Sequence, residues 1–208
     1  MEISSFINTK MLPKTDNIFS EFSVGKINMN KCYEKHSFEE MSTHNAGMYR
    51  DSLDVAKGIF GMDKTCTFFD IGAGAGSFLG VLESNGYLAA NNTHCFEPHP
   101  VLSKDIQKCY PNAVVNACCV GDQETPVTVH VPEWSTLMSS INTKPDFGSD
   151  QRVKQVTCDT VTLDNYCTEY GVDQIDFLKD SVNGYEKQEF DGSTWLLTHN
   201  RILAGVFD

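Results

Sequence analysis

The chain reads as an α/β protein built on a doubly wound, mostly parallel sheet, and three observations predict it. Phe68-Phe69-Asp70-Ile71 is an apolar run around one acid that leads into Gly72, Gly74 and Gly76 at alternate positions. That is the pattern of a buried parallel strand breaking into a tight loop before a helix. About one helix and one strand later, Phe96-Glu97-Pro98 brings a second apolar run to an acid. From Thr67 onward strand-like and helix-like stretches alternate, which is the order of a sheet covered by helices on both faces.

The elements follow in order. Met1 to Lys35 is polar, with short apolar pieces (Ile18-Phe19, Phe22-Ser23-Val24) separated by Pro13 and Gly25, and reads as an arm or short hairpin. Ser37 and Glu40 form a capping box, after which Tyr49, Leu53, Val55, Ala56 and Ile59 recur near helical spacing. Residues 1–60 are therefore expected to be an arm and helix packed on a core formed by 61–208, one domain overall. Strands are expected at 67–71, 94–97 and 113–119, with helices at 77–84 and 100–109, the second opening at Pro100. Val127 to Val131 and Val153 to Thr157 alternate like strands flanking a loop, Glu133 to Asp150, rich in Ser, Thr, Pro and Gly. A loop of that length in a compact domain usually covers a site. Thr162 to Tyr170 predicts a helix, and Ile175 to Lys179 the strand that lies beside the first. Arg201 to Asp208 predicts a fifth parallel strand with no closing hairpin after it. Its edge calls for a partner: the N-terminal arm, a second copy in a homodimer, or a neighbouring domain of a larger protein.

Composition narrows the function classes. With 208 residues, 40% hydrophobic and 21% charged, the chain can bury a full core without metal or disulfide staples. A formal charge of −12 argues against nucleic acid, whose phosphates need clustered Lys and Arg. The eight cysteines fall mostly in apolar runs with no C-x-x-C pair, so they are expected to be reduced thiols. No apolar run has the length of a signal peptide or a membrane span, so no membrane partner and a cytoplasmic location are expected.

The glycine loop carries the chemistry. Glycines are needed where a backbone turns sharply and approaches a ligand closely. A dinucleotide fingerprint wants its last glycine where Ser77 stands, and Gly76 comes one residue early. Asp70, two residues before the first glycine, suits a cationic amino or sulfonium group better than a pyrophosphate. S-adenosylmethionine carries both cations and no phosphate, so it is the expected cofactor, with a dinucleotide or an unliganded glycine turn as the alternatives. Glu97 is placed to accept hydrogen bonds from a ribose diol.

Asp180, Ser181 and Asn183 follow the strand expected beside the first, and so should look into the same crevice. Asp180 is the candidate general base for an acceptor hydroxyl, with Ser181 beside it; the plain alternative is that Asp180, or equally Ser181 or Asn183, caps the next helix. Trp134, Ser135 and Thr136 head the long loop and suit a sugar by their aromatic face and hydroxyls, or else form an anchored, solvent-facing turn. Among six histidines no H-x-x-x-H or E-x-x-H spacing occurs, and no metal is expected.

Taken together, FFDIGAGAG, CFEPHP, VNACCVGD, VTLDNY, IDFLKDSVNGYE and ILAGVFD occur in an order that resembles the FkbM-type methyltransferases, over roughly residues 65–208. That family is of the class I, Rossmann-like type and uses S-adenosylmethionine. The resemblance implies that Asp70, Gly72, Ala73, Gly74 and Gly76, with Ser77 at the helix start, line the methionine end of the cofactor. It also implies that Glu97 holds the ribose, and that Pro98, His99 and Ala117 lie near adenine. Two positions depart from the family pattern, K-I-D-x-E-G-x-E: Ser181 replaces its Asp and Asn183 its Glu. Both oxygen ligands that a magnesium ion would want are thereby lost. Asp180, displaced by one residue, substitutes for the missing acid only if the turn absorbs the shift, since within a strand it would face the other side. A weaker similarity is to the terminal methyltransferase domain of large-virus proteins that assemble capsid glycans. The expectation is an O-methyltransferase acting on a sugar hydroxyl of a glycan or glycoside, such as a rhamnose. The alternative is a degenerate S-adenosylmethionine-binding domain with a structural or partner-binding role.

Overall fold

The structure, a computed structural model, describes residues 39–89, 91–132, 139–141 and 153–207. Five parallel strands make the main sheet: β1 (Phe68–Ile71), β2 (Thr93–Phe96), β3 (Val114–Asn116), β8 (Ile175–Asp180) and β9 (Ile202–Phe207), in spatial order β3-β2-β1-β8-β9. The chain runs outward from β1 to β3 and then returns to place β8 on the other side of β1. Strand order therefore reverses between β1 and β8, and in such sheets ligands bind beyond the carboxyl ends at that point.

All four residues of β1 are buried because helices cover both faces. On one face Phe68 and Phe177 meet α1 (Glu39–Phe60) and α2 (Ser77–Ser84) through Tyr49, Leu53, Phe78 and Val81, while α3 (Pro100–Cys109) adds Ile106 beside Leu79 and Cys95. On the other, Phe69, Ile71 and Leu178 meet α4 (Leu163–Tyr170) and α6 (Thr194–Thr198) through Leu163, Tyr166 and Leu196. Each such side chain contributes about 1.5–3 kcal/mol by leaving water. α5 (Glu186–Asp191) links β8 to α6.

Sequence expectation and structure agree for the bounds of α2 and α3 and for the pairing of β8 with β1. The two strands expected to flank the long loop also form, as β5 (Val127–Pro132) and β6 (Val153–Cys158), and the structure pairs them antiparallel as a hairpin. The stretch 113–119 differs. It splits into β3 in the main sheet and β4 (Cys119–Val120), which pairs instead with β7 (Thr160–Val161). The main-sheet pairing stops at Asn116, whose carboxamide donates to Cys95 O at 3.1 Å and to Tyr166 Oη at 3.1 Å, and Cys119 N–H turns to Asp159 O at 2.8 Å.

Within α1, Tyr49, Leu53 and Ala56 are buried as the spacing predicts, but Val55 and Ile59 lie on the outer face, 39% and 50% exposed. Ser37 of the capping box lies outside the described residues. Cys66, Cys95, Cys118, Cys119, Cys158 and Cys167 are free thiols, whereas Cys109, at the surface end of α3, is disulfide-bonded, a correction to the expectation of reduced cysteines throughout. His94 is enclosed in the core, where burial pushes its imidazole down to about 4 and Nδ1 meets Tyr166 Oη at 2.8 Å. Among the described residues β9 is an edge of the sheet, and no helix is long and apolar enough to cross a membrane.

Candidate active site at the carboxyl edge of the sheet

The loop after β1 is built by close backbone approach. Gly72, at φ 66°, sits against the backbone after β8, and a Cβ there would come within 2.0 Å of Ser181 O. Gly72 and Ala73 N–H groups both donate to Phe96 O, at 3.0 and 3.1 Å, tying the loop to the end of β2. Gly76, at φ 84°, allows Tyr110 of the segment after α3 to close over the turn, where a Cβ would meet its ring at 2.9 Å. Two neighbouring glycines thus have separate steric causes, one per flanking element.

Glu97 is the polar focus of the site. It is 4% exposed and held at both oxygens: Gly74 N–H donates to Oε2 at 2.7 Å and His99 N–H to Oε1 at 2.8 Å. Burial pushes its carboxyl up to about 7, against the lowering pull of those two N–H groups. Each carboxylate oxygen has more than one lone-pair site, so both can accept a further hydroxyl from the cleft side.

A cleft of about 310 Å³ opens above β2, β1 and β8. Of the residues singled out in the sequence, Gly72, Ala73, Gly74, Ser77, Glu97, Pro98 and Ser181 line it, and Asn183 joins them. Gly76 supports the loop from behind, against Tyr110. His99 caps α3, its Nδ1 accepting from Val101 and Leu102 N–H at 3.3 and 3.4 Å. The Ala117 carbonyl faces the Cys158 thiol at 3.7 Å. Trp134, Ser135 and Thr136 lie outside the described residues.

Both aspartates of the strand ends are placed differently from expectation. Asp70 is fully buried, and the cation it faces is the protein's own: Lys179 Nζ lies 3.0 Å from Oδ1. That ammonium also donates to Gly72 O at 2.7 Å and Ile71 O at 3.2 Å, so its three donors pin the end of β1 to β8. Asp180 is the last residue of β8 and therefore alternates to the face opposite Lys179. It is fully buried and hydrogen-bonded to Glu189 of α5, itself 1% exposed. Burial first, and then Asp180, hold the Glu189 carboxyl well above the usual carboxylate range. The expectation that Asp180 looks into the crevice is corrected on this ground: the one-residue shift falls within the strand, not in the turn.

The walls of the cleft come from residues that carry no functional signature in the sequence. Asn45 and Tyr49 of α1 reach into it, with Tyr49 edge-on to Phe78 at 5.8 Å and the Lys179 ammonium 5.6 Å from its ring. Phe96, Cys119, Val120 and Val129 form an apolar side near Glu97. Ser139, Ser140, Ile141, Val182 and Tyr185 close the side near the end of β8. Tyr49 was visible only as a core residue of an amphipathic helix, and the serines only as part of a hydroxyl-rich loop. No group of three or more His, Cys, Asp or Glu poised to hold a metal occurs among the described residues.

Residues 70–204, well over half of the chain, match the methyltransferase FkbM domain. The chain belongs to the FkbM methyltransferase family. FkbM enzymes are generally dependent on S-adenosylmethionine, and the glycine loop and Glu97 fall inside the matched span. A crystal structure of methyltransferase FkbM from Methylobacillus flagellatus KT is similar at 15% identity and a TM-score of 0.45, over 70% of this chain and 33% of that one. The chain thus spans about a third of that FkbM protein's length. No curated protein matches the chain.

Proposed function

We propose that the cleft binds S-adenosylmethionine and that the protein transfers its methyl group to a hydroxyl of a saccharide or glycoside, a deoxyhexose such as rhamnose being the best fit. The observation that carries this reading is Glu97: a buried carboxylate, fixed by two backbone N–H groups, beside a glycine loop at the strand-order reversal. The residues present fit the cofactor in sequence across the sheet. Phe96, Val120 and Val129 offer an apolar surface for adenine, and Glu97 at the end of β2 accepts the ribose hydroxyls. The loop after β1 approaches the amino-acid end, with Lys179 rather than Asp70 as the charge on the cleft surface. S-adenosylmethionine supplies a sulfonium-bound methyl group open to in-line displacement.

The acceptor side then lies at the end of β8. Ser139, Ser140, Ser181, Asn183 and Tyr185 present hydroxyl and amide groups, with Val182 and Ile141 among them. Such a wall suits a neutral polyol that carries one apolar substituent, and the net charge of −12 agrees with an acceptor that is not polyanionic. Among the described residues Glu97 is the one carboxylate on the cleft surface, and it belongs to the ribose end. The protein therefore acts chiefly by holding the acceptor oxygen in near-attack geometry, an effect that supplies up to ~7–11 kcal/mol in well-oriented systems. Asp180 supports β8 from the opposite face. That turn of Asp180 away from the cleft also favours a second reading, a domain that binds the cofactor without catalysis and serves a larger assembly.

Isotope transfer from methyl-labelled S-adenosylmethionine to methyl α-L-rhamnopyranoside and to other neutral glycosides tests the choice. Labelled product supports the transferase. Calorimetric binding of S-adenosylhomocysteine with no transfer to any glycoside supports the second reading.

A further inference from the structure

On the side of the cleft near the end of β8, the Asn183 side chain links the turn after β8 to the Ser139–Ile141 segment. Asn183, in the turn after β8, adopts φ 54°, a left-handed conformation that asparagine tolerates better than most residues with a side chain. From there its Nδ2 donates to Ser139 O at 2.9 Å, and its backbone carbonyl accepts from Ser140 Oγ at 3.1 Å. Ser140 is 5% exposed, and its backbone exchanges two hydrogen bonds with His130 of β5: His130 N–H to Ser140 O at 2.7 Å and Ser140 N–H to His130 O at 3.0 Å. Ser139 and Ser140 are thus clamped between the hairpin and the end of β8, so that a segment with no helix or ladder of its own forms a fixed wall.

We propose that Asn183 is the positioning residue for acceptor recognition: its carboxamide sets the Ser139–Ile141 wall that selects and orients the sugar. This rests on the function proposed above and adds the residue that determines the acceptor. The chemistry is specific to an amide. An ionised carboxylate of the same size has no proton to give, and would set its oxygen against the Ser139 carbonyl. The cofactor side is held by other groups, the Gly74 and His99 N–H groups that fix Glu97.

Asn183→Asp keeps size and backbone tolerance while reversing the hydrogen-bond polarity. Asn183→Gly keeps the left-handed turn and the Ser140-to-carbonyl bond and only deletes the amide. Hydrogen exchange of the 139–141 segment, calorimetry with S-adenosylhomocysteine, and transfer kinetics on methyl α-L-rhamnopyranoside are measured for both variants beside the unaltered protein. In Asn183→Asp the Ser140 amide is expected to exchange about tenfold faster, and the acceptor KM to rise about tenfold with kcat little changed, the loss that goes with one hydrogen bond reversed. Asn183→Gly should move both in the same direction by about threefold. Cofactor-product affinity should stay within about twofold in each, and the β1 and β8 amides should keep their protection.

Unchanged exchange at Ser140 in Asn183→Asp overturns the proposal. So does faster exchange spread over β1 and β8, or an equal loss of S-adenosylhomocysteine affinity, because either marks a merely structural role. If the unaltered protein does not methylate the glycoside, the sugar reading fails by itself, and the exchange and calorimetry still decide the role of Asn183.

Discussion

At the scale of single residues, burial sets the protonation that the site works with. The proposed role of Glu97, accepting two ribose hydroxyls, requires its ionised form, and burial pushes its carboxyl up to about 7. Protonation turns one of its oxygens from acceptor into donor. Affinity for S-adenosylhomocysteine should therefore rise as pH climbs from about 6 to about 8, following the ionised fraction. Glu97→Gln should flatten that profile and weaken binding about tenfold or more, as expected for a charge-assisted pair lost. Calorimetry across the pH range reads both effects, and a steep profile that survives in Glu97→Gln contradicts the assignment. Glu189 behaves in the opposite sense for stability. Its carboxyl is held above the unfolded value, so the folded protein binds more protons than the unfolded chain between the two. That contribution is fully present below the unfolded value and is lost as pH rises through the folded one. Glu189→Gln removes the need for the proton, so its denaturant midpoint should fall less with rising pH than that of the unaltered protein. An identical slope in the two proteins would place the titration elsewhere.

At the scale of elements, β8 organises the site through its two faces. Lys179 on one face neutralises Asp70 and holds the Ile71 and Gly72 carbonyls; Asp180 on the other is matched to Glu189. Lys179→Met leaves Asp70 buried opposite an apolar chain, and removing one partner of such a pair costs about 3–5 kcal/mol. Chemical denaturation should show that loss, and a change under about 1 kcal/mol would mean that the pair is solvated like a surface bridge. Gly72→Ala should be worse tolerated than Gly86→Ala, although both glycines have positive φ. A Cβ at Gly72 meets the Ser181 carbonyl at 2.0 Å, whereas at Gly86 it meets nothing within 4 Å. Much of this element scale was legible in the sequence. The apolar runs around Asp70 and before Glu97, Pro100 at the first turn of α3, and the ordering of β8 beside β1 all follow from local pattern and topology rules. Asp180 was not, because its face depends on whether β8 ends before or after that one residue, and the turn geometry decides this.

At the scale of the whole molecule, the fold was legible and the cleft only by half. Its floor comes from contiguous motifs, the glycine loop and the Glu97 corner, which announce themselves by residue type. Its walls are assembled from distant segments: Tyr49 on α1, Val129 on the hairpin, and Ser140 bonded to Asn183 across 43 positions. Nothing local in a Ser-rich loop says which carbonyl an asparagine will hold, and nothing near Asp70 says that its counter-ion is Lys179. The break between β3 and β4 was hidden for the same reason, since the competing partner of Cys119 is the backbone at Asp159.

Everything proposed for the cleft depends on Glu97 and the glycine loop holding the nucleoside of S-adenosylmethionine. Titration calorimetry with S-adenosylhomocysteine, and separately with NAD, on the unaltered protein and on Glu97→Gln tests it most directly. Saturable binding of S-adenosylhomocysteine alone, weakened in Glu97→Gln, is the expected result. Binding of NAD in its place, or S-adenosylhomocysteine binding that is indifferent to Glu97→Gln, would contradict it.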